Sequence, residues 1–301
     1  MRKRACLVLA WVIACSWTAV PLEIVCTTTI VGDVVARIAG EGSHVAVLLP
    51  VNADPHAFEP TPRDLVLVAR ADVVFLNGAG LESELDPILE AASGLVVALC
   101  GGLDLRSLDA SDDEEEGHDA HSISVDPHVW FDPTYVAAWV DLIEETLIRL
   151  DPPGESECRA RADAYRADLS ELDAWIENRT RALPPDRRRL VTDHAVFGYF
   201  AARYGFEQVG TVFPGLSSLS EPSARDLASL EETITSLGVP AVFVGTTVNR
   251  TLAEQVAADT GTRVVTIYTG SLSEPGGPAD SYLALMRYDV GAIVTGLSEE
   301  P

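Results

Sequence analysis

Two stretches of the chain alternate short apolar segments with longer amphipathic ones. In the first stretch the short segments are rich in valine and leucine on both faces, which is typical of buried strands in a parallel sheet. We predict strands over Glu23–Thr29, His44–Leu49, Asp72–Leu76 and Leu95–Leu99. The spacing of apolar residues between them predicts helices over Ile30–Gly40, Thr61–Ala71 and Leu81–Ser93.

The second stretch repeats this alternation. Its predicted strands are Arg189–Thr192, Gln208–Val212, Ala241–Gly245 and Arg263–Tyr268. Its predicted helices are Ala195–Tyr204, Ser223–Leu237, Thr251–Thr260 and Ala279–Gly296. Because strands that alternate with helices of this length form parallel sheets, we predict an α/β fold. It has two lobes, each with a parallel four-stranded sheet flanked by helices.

Two polar helices are predicted between the stretches, over Pro133–Leu150 and Gly154–Leu183. A helix of about 28 residues spans about 42 Å, the size of a domain. We therefore expect a rigid connection between the lobes. The predicted division is an N-terminal lobe over 22–132, a connecting helical segment over 133–185 and a C-terminal lobe over 186–301.

Residues 1–21 have the pattern of a secretory signal peptide. Basic residues come first, and an apolar run of about 16 residues follows, shorter than the ~20 that a membrane span needs. Two processing routes stay open. Val12–Cys15 resembles a lipobox, in which Cys15 carries the lipid anchor, whereas small residues also allow cleavage after Ser16. We expect an extracytoplasmic protein, in the periplasm or on the outer face of the cytoplasmic membrane.

The formal net charge of −25 limits the partners of this chain. Such acidity repels phosphate, so it argues against nucleic acid and favours cations. Part of the charge lies in 110–125, where a run of acids with His118 and His121 is typical of a solvated loop. Cys26 and Cys100 fall in apolar segments, and we expect them to be buried thiols.

Three of the six histidines occupy unusual positions. His56 follows a predicted strand, His194 follows the first strand of the second stretch, and His128 begins the connecting region. Ligands of open α/β sheets bind beyond the carboxyl ends of the strands, and neutral imidazole is a common zinc ligand. Four nearby carboxylates could accept the second ring N–H, namely those of Asp54, Asp126, Asp132 and Asp193. Spacing alone is weak evidence for a metal site, because packed or surface histidines are the more common explanation of such a pattern.

Several longer motifs resemble the metal-binding solute-binding proteins of ABC transporters, the zinc and manganese receptor family known as cluster A-I. These motifs are PHAFEPTPRDL (Pro55–Leu65), DPHVWFDP (Asp126–Pro133), DHAVFGYFAARYG (Asp193–Gly205), EPSARDL (Glu221–Leu227) and SEPGGPADSYLALMRYDV (Ser273–Val290). The resemblance implies two α/β lobes joined by a long helix, with the metal in the cleft. Carried over by position, it implies His56, His128 and His194 as ligands. Histidine at the third position is what zinc receptors have, and three imidazoles suit Zn²⁺ better than Mn²⁺.

The chain departs from this family at one position. Many relatives have an aspartate after the last strand of the second lobe, where this chain has Gly270. The fourth metal position is then open to water or to Asp280, although we expect Asp280 to cap the last helix; Glu59 and Glu221 are weaker candidates. Zinc receptors often carry a histidine-rich insertion where His118 and His121 lie, which suggests either zinc collection or only a solvated loop.

The resemblance implies a zinc-binding receptor that delivers Zn²⁺ to the membrane subunits of an ABC permease, without enzymatic activity. We expect a monomer whose affinity for zinc falls as the pH drops through about 6.5, the ordinary pKa of histidine. The alternatives are a manganese or iron receptor of the same family, a surface adhesin, or a zinc hydrolase. Three histidines and a water also make a catalytic zinc site, but no motif places a general base.

Overall fold

A computed structural model of the chain describes residues 21–107 and 125–298, and this part contains two parallel four-stranded sheets. The first sheet has the order β2-β1-β3-β4, with β1 (Glu23–Cys26), β2 (His44–Val47), β3 (Val73–Leu76) and β4 (Leu95–Ala98). The second has the order β6-β5-β7-β8, with β5 (Arg189–Thr192), β6 (Glu207–Thr211), β7 (Ala241–Gly245) and β8 (Arg263–Ile267). The predicted fold class is confirmed. Cys15, His118, His121 and residues 1–20 lie outside the described residues.

Helices connect the strands and flank both sheets. Those around the first sheet are α1 (Thr29–Ala39), α2 (Pro62–Arg70) and α3 (Asp86–Leu89), and the connecting helices are α4 (Pro133–Leu150) and α5 (Glu155–Thr180). The second half contributes α6 (Gly198–Tyr204), α7 (Ala224–Leu237), α8 (Thr251–Thr260) and α9 (Tyr282–Ser298). None of the helices within the described ranges is both long and apolar enough to cross a membrane.

Caps set several ends that the apolar pattern misplaces. The strand predicted over Glu23–Thr29 ends at Cys26, because the Thr28 side chain accepts a hydrogen bond from the backbone N–H of Val31 and begins α1. Helix α2 begins with a reciprocal capping box between Thr61 and Asp64, followed by a proline in the first turn. These side chains accept hydrogen bonds from backbone N–H groups of the first helical turn, which have no partner within the helix.

The helix predicted over Leu81–Ser93 is largely wrong. The segment contains a short 3₁₀ turn over Ser83–Leu85 and then only four α-helical residues. Upstream of it, Gly78, Ala79 and Gly80 all have positive φ. The Glu82 carboxylate accepts the backbone N–H groups of Asn77 and Gly78, so this stretch is a tight turn folded around a buried carboxylate.

Two helix starts in the second lobe also lie later than predicted. The segment after β5 stays irregular until Gly198, since the N–H of Ala195 donates to the carbonyl of Gly215 instead of entering a helix. Helix α9 begins at Tyr282, and Ser281 rather than Asp280 accepts from the backbone of its first turn. The expected capping role of Asp280 is wrong, because its carboxylate accepts from the N–H of Gly276.

The largest hydrophobic cluster runs through both lobes, and two smaller clusters each lie within one lobe. The largest cluster includes Phe75 of the first sheet, Trp139 of α4, Leu169 of α5, Phe243 of the second sheet and Leu285 of α9. Helix α5, about 39 Å long at 1.5 Å per residue, packs on α1, α4 and α9 and so contacts helices of both halves. The cleft between the sheets is therefore bounded by a continuously packed base.

Candidate metal centre

His56, His128 and His194 meet in the cleft between the two sheets. Their ring centroids are 5.3–5.4 Å apart in all three pairs. One nitrogen from each ring lies within 4.8 Å of the others, and Nε2 of His56 is 3.2 Å from Nε2 of His128. Two imidazole nitrogens on one tetrahedral zinc ion, each at ~2.0–2.1 Å, lie roughly 3.3 Å apart. This spacing fits a shared metal ion.

Each histidine is brought to the cleft by a different part of the fold. His56 ends a loop that begins after β2, His194 lies two residues beyond β5, and His128 immediately precedes a 3₁₀ turn over Val129–Phe131. His128 and His194 are 1% and 4% exposed, whereas His56 is only partly buried. The prediction from strand ends and from the DPH motif thus finds three side chains that the structure places together.

Two of the rings are held by buried carboxylates. Asp126 Oδ1 lies 2.8 Å from Nδ1 of His128, and Asp193 Oδ1 lies 2.6 Å from Nδ1 of His194. Each of these oxygens also accepts the backbone N–H of the same histidine. Because the carboxylates take the Nδ1 proton, Nε2 of each ring keeps its lone pair for a metal. Asp126 and Asp193 therefore act as predicted.

The other two predicted ring partners do not contact an imidazole ring. Asp54 accepts the backbone N–H of His56 and the hydroxyl of Ser218, and Asp132 caps α4 by accepting the N–H of Thr134. These two predictions are wrong for a shared reason. Aspartate satisfies free backbone groups at turns and helix starts, so proximity in sequence does not decide which donor it takes.

A glycine lies against each ring-holding carboxylate. A Cβ on Gly198 would approach Asp126 Oδ2 to 2.6 Å. A Cβ on Gly245 would collide with Thr269 Oγ1 and lie 3.0 Å from Asp193 Oδ2, which accepts the N–H of Gly245. Both glycines are thus required by space, and a side chain at either position would push on the carboxylate that orients a ring.

The surroundings of His56 and His128 keep both rings neutral. Burial, together with the neighbouring His128 and His194, lowers the pKa of His56 to about 3. Burial also lowers the pKa of His128, although the Asp126 carboxylate opposes this shift. Neutral imidazole is the form that binds a metal. For these two rings burial therefore shifts protonation to a lower pH than the 6.5 of an ordinary histidine.

The cavity between the rings has a volume of about 10 Å³, room for one ion or one water molecule. Besides the histidines, its walls come from both lobes and include Pro55, Trp130, Thr247, Thr269 and Gly270. Trp130 ties the lobes together, since its Nε1 donates to the carbonyl of Thr269 and its own carbonyl accepts the hydroxyl of Tyr282. An organic substrate does not fit in this space.

Within the described residues, the three histidines cluster without a carboxylate ligand atom. Gly270 lies at the cavity wall, where the resemblance expects an aspartate. Asp280, Glu59 and Glu221 are all exposed and do not line the cavity. These three carboxylates therefore lie away from the cavity. Asp54 does line it, but its carboxylate accepts from Ser218 and from the backbone N–H of His56, so we expect water at the fourth position.

Sequence reasoning missed a buried network beneath His128. Thr27 and the backbone N–H of Asn77 both donate to Glu82, whose pKa is raised by burial, and Asn77 Nδ2 donates to the carbonyl of Pro127. This network fixes the residue before His128 to the end of β3. The sequence feature that could have indicated this network is the polar Asn77 after a buried strand, with Gly78 and Gly80 close behind it.

Comparison with known proteins adds independent findings. The family model for the zinc-uptake complex component A, periplasmic (ZnuA), matches residues 24–296. The manganese-binding lipoprotein MntA of Halalkalibacterium halodurans is 35% identical over 280 residues, which cover 92% of this chain and 89% of the relative. The iron-binding protein YfeA of Yersinia pestis is 29% identical over 287 residues, covering 94% of this chain and 88% of the relative.

Among solved structures, the periplasmic zinc-binding protein TroA of Treponema pallidum superposes with a TM-score of 0.81 at 28% identity. The match covers 92% of this chain and 99% of that one. These three relatives are named for three different metals. Similarity over nearly the whole chain therefore does not by itself decide which metal ion the three histidines hold.

Proposed function

Since the chain belongs to the ZnuA family of metal-binding receptors of ABC transporters, we propose that it captures Zn²⁺ between its lobes and delivers the ion to a membrane permease. The proposed ligands are His56, His128 and His194. The observation that carries the proposal is the convergence of three imidazole rings on a cavity of ion size, with no carboxylate oxygen among the clustered ligand atoms.

The ligand set is the reason for proposing zinc. Manganese prefers oxygen ligands, whereas imidazole suits zinc and other borderline metals. The Asp126 and Asp193 carboxylates lie behind the rings on Nδ1, where they raise the basicity of Nε2 without entering the coordination sphere. A manganese or iron receptor is the alternative, because relatives named for those metals are similar in sequence over nearly the whole chain.

The proposed mechanism is coordination without bond making or breaking. His128 and His194 lie in the buried floor of the cleft, and His56 approaches from the loop after β2. A metal ion bound by all three joins the N-terminal half to the C-terminal half and stabilises one arrangement of the cleft. We propose that the receptor is a monomer and that it docks on the permease in this arrangement.

The leader supports an extracytoplasmic location. Residues 1–21 have the pattern of a signal peptide, and the relative MntA is named a lipoprotein. We propose export, with lipid anchoring through Cys15 as one route and release into the periplasm after Ser16 as the other. Mass measurement of the mature N-terminus distinguishes them.

Metal analysis of the purified protein tests the proposal. We expect one Zn²⁺ per chain, and competition titration should rank Zn²⁺ well above Mn²⁺ and Fe²⁺. His194→Ala should abolish stoichiometric zinc. His44→Ala is the matched control, because His44 is an exposed histidine paired with Glu23 on the edge strand β2. Preferential retention of manganese or iron by the wild type would contradict the zinc assignment.

Growth provides the second test. A strain lacking the gene should grow poorly in medium treated with a chelator, and added zinc should rescue it more effectively than added manganese. Expression of the His194→Ala variant should fail to rescue growth at low zinc. Normal growth of the deletion strain under zinc limitation, in the absence of a second zinc importer, would contradict the transport role.

A further inference from the structure

The loop that carries His56 is held by the opposite lobe. The backbone N–H of Asn52 donates to Ser271 Oγ at 2.9 Å, and Asp54 accepts the hydroxyl of Ser218. Asn52 has φ of 65°, a conformation that asparagine tolerates better than most residues. Both partners belong to the C-terminal half, so the loop from Asn52 to His56 is fixed across the cleft.

Pro55 also lies against Gly270 of the opposite lobe, and both residues line the cavity. Pro55 is buried, and a Cβ on Gly270 would lie 2.8 Å from Pro55 Cδ and 3.2 Å from Pro55 Cγ. Real Cβ atoms essentially never approach a heavy atom to less than 3.0 Å. Gly270 is not among the residues with positive φ, so space rather than backbone conformation requires glycine here.

This contact matters for His56 in particular. His128 and His194 are oriented by carboxylates on Nδ1, whereas the hydrogen bonds at His56 are a backbone contact to Asp54 and a ring contact to His128. The residue directly before His56 is Pro55, whose fixed φ transmits its position to the next residue. The position of the His56 ring therefore depends on where the Pro55 ring rests.

On the basis of the zinc-binding function proposed above, we infer that Gly270 is a positioning residue whose missing side chain seats Pro55 and thereby places His56 on the metal. In this view Gly270 is more than an absent ligand. The volume in which a fourth carboxylate would begin is filled by Pro55, and the ligand set stays at three imidazoles.

Gly270→Ala tests the inference, since alanine adds the clashing Cβ but no metal ligand. We expect Zn²⁺ affinity to fall about tenfold or more, the range seen when a group that orients a ligand is lost. Gly42→Ala is the matched control, because Gly42 is exposed, does not have positive φ and has space around it, with no heavy atom within 4 Å of where a Cβ would lie. Equal affinity of Gly270→Ala and wild type would overturn the inference.

A double-mutant cycle identifies the contact responsible. Pro55→Ala removes both ring atoms that the new Cβ would meet, so adding Gly270→Ala to it should cause no further loss of zinc affinity. The visible absorption spectrum of the Co²⁺-loaded proteins gives an independent readout. It should change in Gly270→Ala and match that of Pro55→Ala in the double variant. Additive losses would show that the effect does not run through Pro55.

Gly270→Asp separates positioning from simple ligand absence. If the position only lacked a carboxylate, aspartate would tighten Mn²⁺ and leave Zn²⁺ intact, and this result would overturn the inference. We expect weaker Zn²⁺ binding and no gain for Mn²⁺, because Pro55 must first be displaced. Thermal unfolding with a chelator checks folding. Should Gly270→Ala fail to fold, a folded double variant supports the inference and an unfolded one overturns it.

The outcomes also distinguish this inference from the proposed function. If the wild-type protein does not bind zinc, the proposed function is wrong. If the wild-type protein binds zinc and Gly270→Ala binds it equally well, the proposed function holds and only the positioning role of Gly270 is wrong.

Discussion

The two sides of the metal centre are built differently. On one side, His128 and His194 are almost fully buried, and each is fixed by a buried aspartate that itself lies against a glycine. On the other side, His56 is partly buried and sits in a loop held by Pro55 and by hydrogen bonds to the opposite lobe. Two of the histidines are thus held by the interior, and the third is placed by a loop that rests on the opposite lobe.

The difference indicates an order of events. A metal ion entering the cleft meets two oriented imidazoles first, and the cost of ordering their side chains has been met during folding. His56 completes the set when its loop rests on Gly270. We therefore expect affinity to depend most on the fixed pair, and the rate of metal release to depend most on the His56 loop.

The largest expected effects come from the ligands themselves. His128→Ala and His194→Ala should each reduce zinc affinity by more than the ~100-fold that marks the loss of an outer partner. His56→Ala should cost less than either, because its ring lacks the carboxylate that strengthens the other two. Competition with a chelating dye measures all three. If His56→Ala lowers zinc affinity more than the other two variants, the buried pair does not dominate the affinity.

The orienting carboxylates should have the next largest effect. Asp126→Asn and Asp193→Asn remove the charge behind Nδ1, and each should weaken zinc by about 10–100-fold. Asp280→Ala serves as the control, because Asp280 is exposed and, within residues 21–107 and 125–298, its carboxylate accepts a hydrogen bond from Gly276 alone. If Asp280→Ala weakens zinc as much as the two asparagine variants, the assignment of water to the fourth position fails.

Acid should reveal the burial of His56 in the metal-free protein. The unfolded chain binds a proton at this histidine below about pH 6.5, whereas the folded ring stays neutral until about pH 3. Stability is therefore full above pH 6.5 and declines as the pH falls. At pH 5 the loss is at most about 2 kcal/mol for this residue. Urea unfolding with a chelator should show a smaller loss in His56→Ala, and equal losses would contradict the assigned burial.

A buried acid that does not line the metal cavity should change stability with the opposite sign and the smallest effect. Asp289 in α9 is fully buried, its Oδ1 accepts the N–H of Tyr268, and its pKa is raised well above the usual value by burial. The folded state prefers the protonated acid, so stability falls as the pH rises above about 4. Asp289→Asn should raise stability at pH 7 by on the order of 1 kcal/mol. No gain in urea unfolding would contradict this sign.

The sequence predicts the sheets better than the irregular segments. Ala241–Gly245 and Thr251–Thr260 have the predicted bounds, because an apolar run between Pro240 and a turn, and a helix ending at Gly261, are local signals. Leu81–Ser93 fails, because the carboxylate of Glu82 turns inward to bind the backbone upstream. Local periodicity carries no information about such a contact.

The same division applies to the metal centre. The three histidines follow from strand ends and motifs, and two of their carboxylates lie one or two residues away in the chain. The contact between Pro55 and Gly270 joins residues that are far apart in sequence. It depends on the space that the absent side chain of Gly270 leaves for the Pro55 ring. Sequence comparison shows Gly270 as a missing aspartate, and only the packed structure shows what fills its place.

The core shared by both halves bears on how the cargo leaves. Helix α5 packs against helices of both lobes, and one apolar cluster extends from the first sheet to α9, so a wide hinge opening would have to break the base of the molecule. Displacing the short loop that carries His56 breaks only its few contacts to the opposite lobe and leaves this shared core intact. We expect a permease to release the metal by displacing the loop from Asn52 to His56, while the packed core behind it keeps its arrangement.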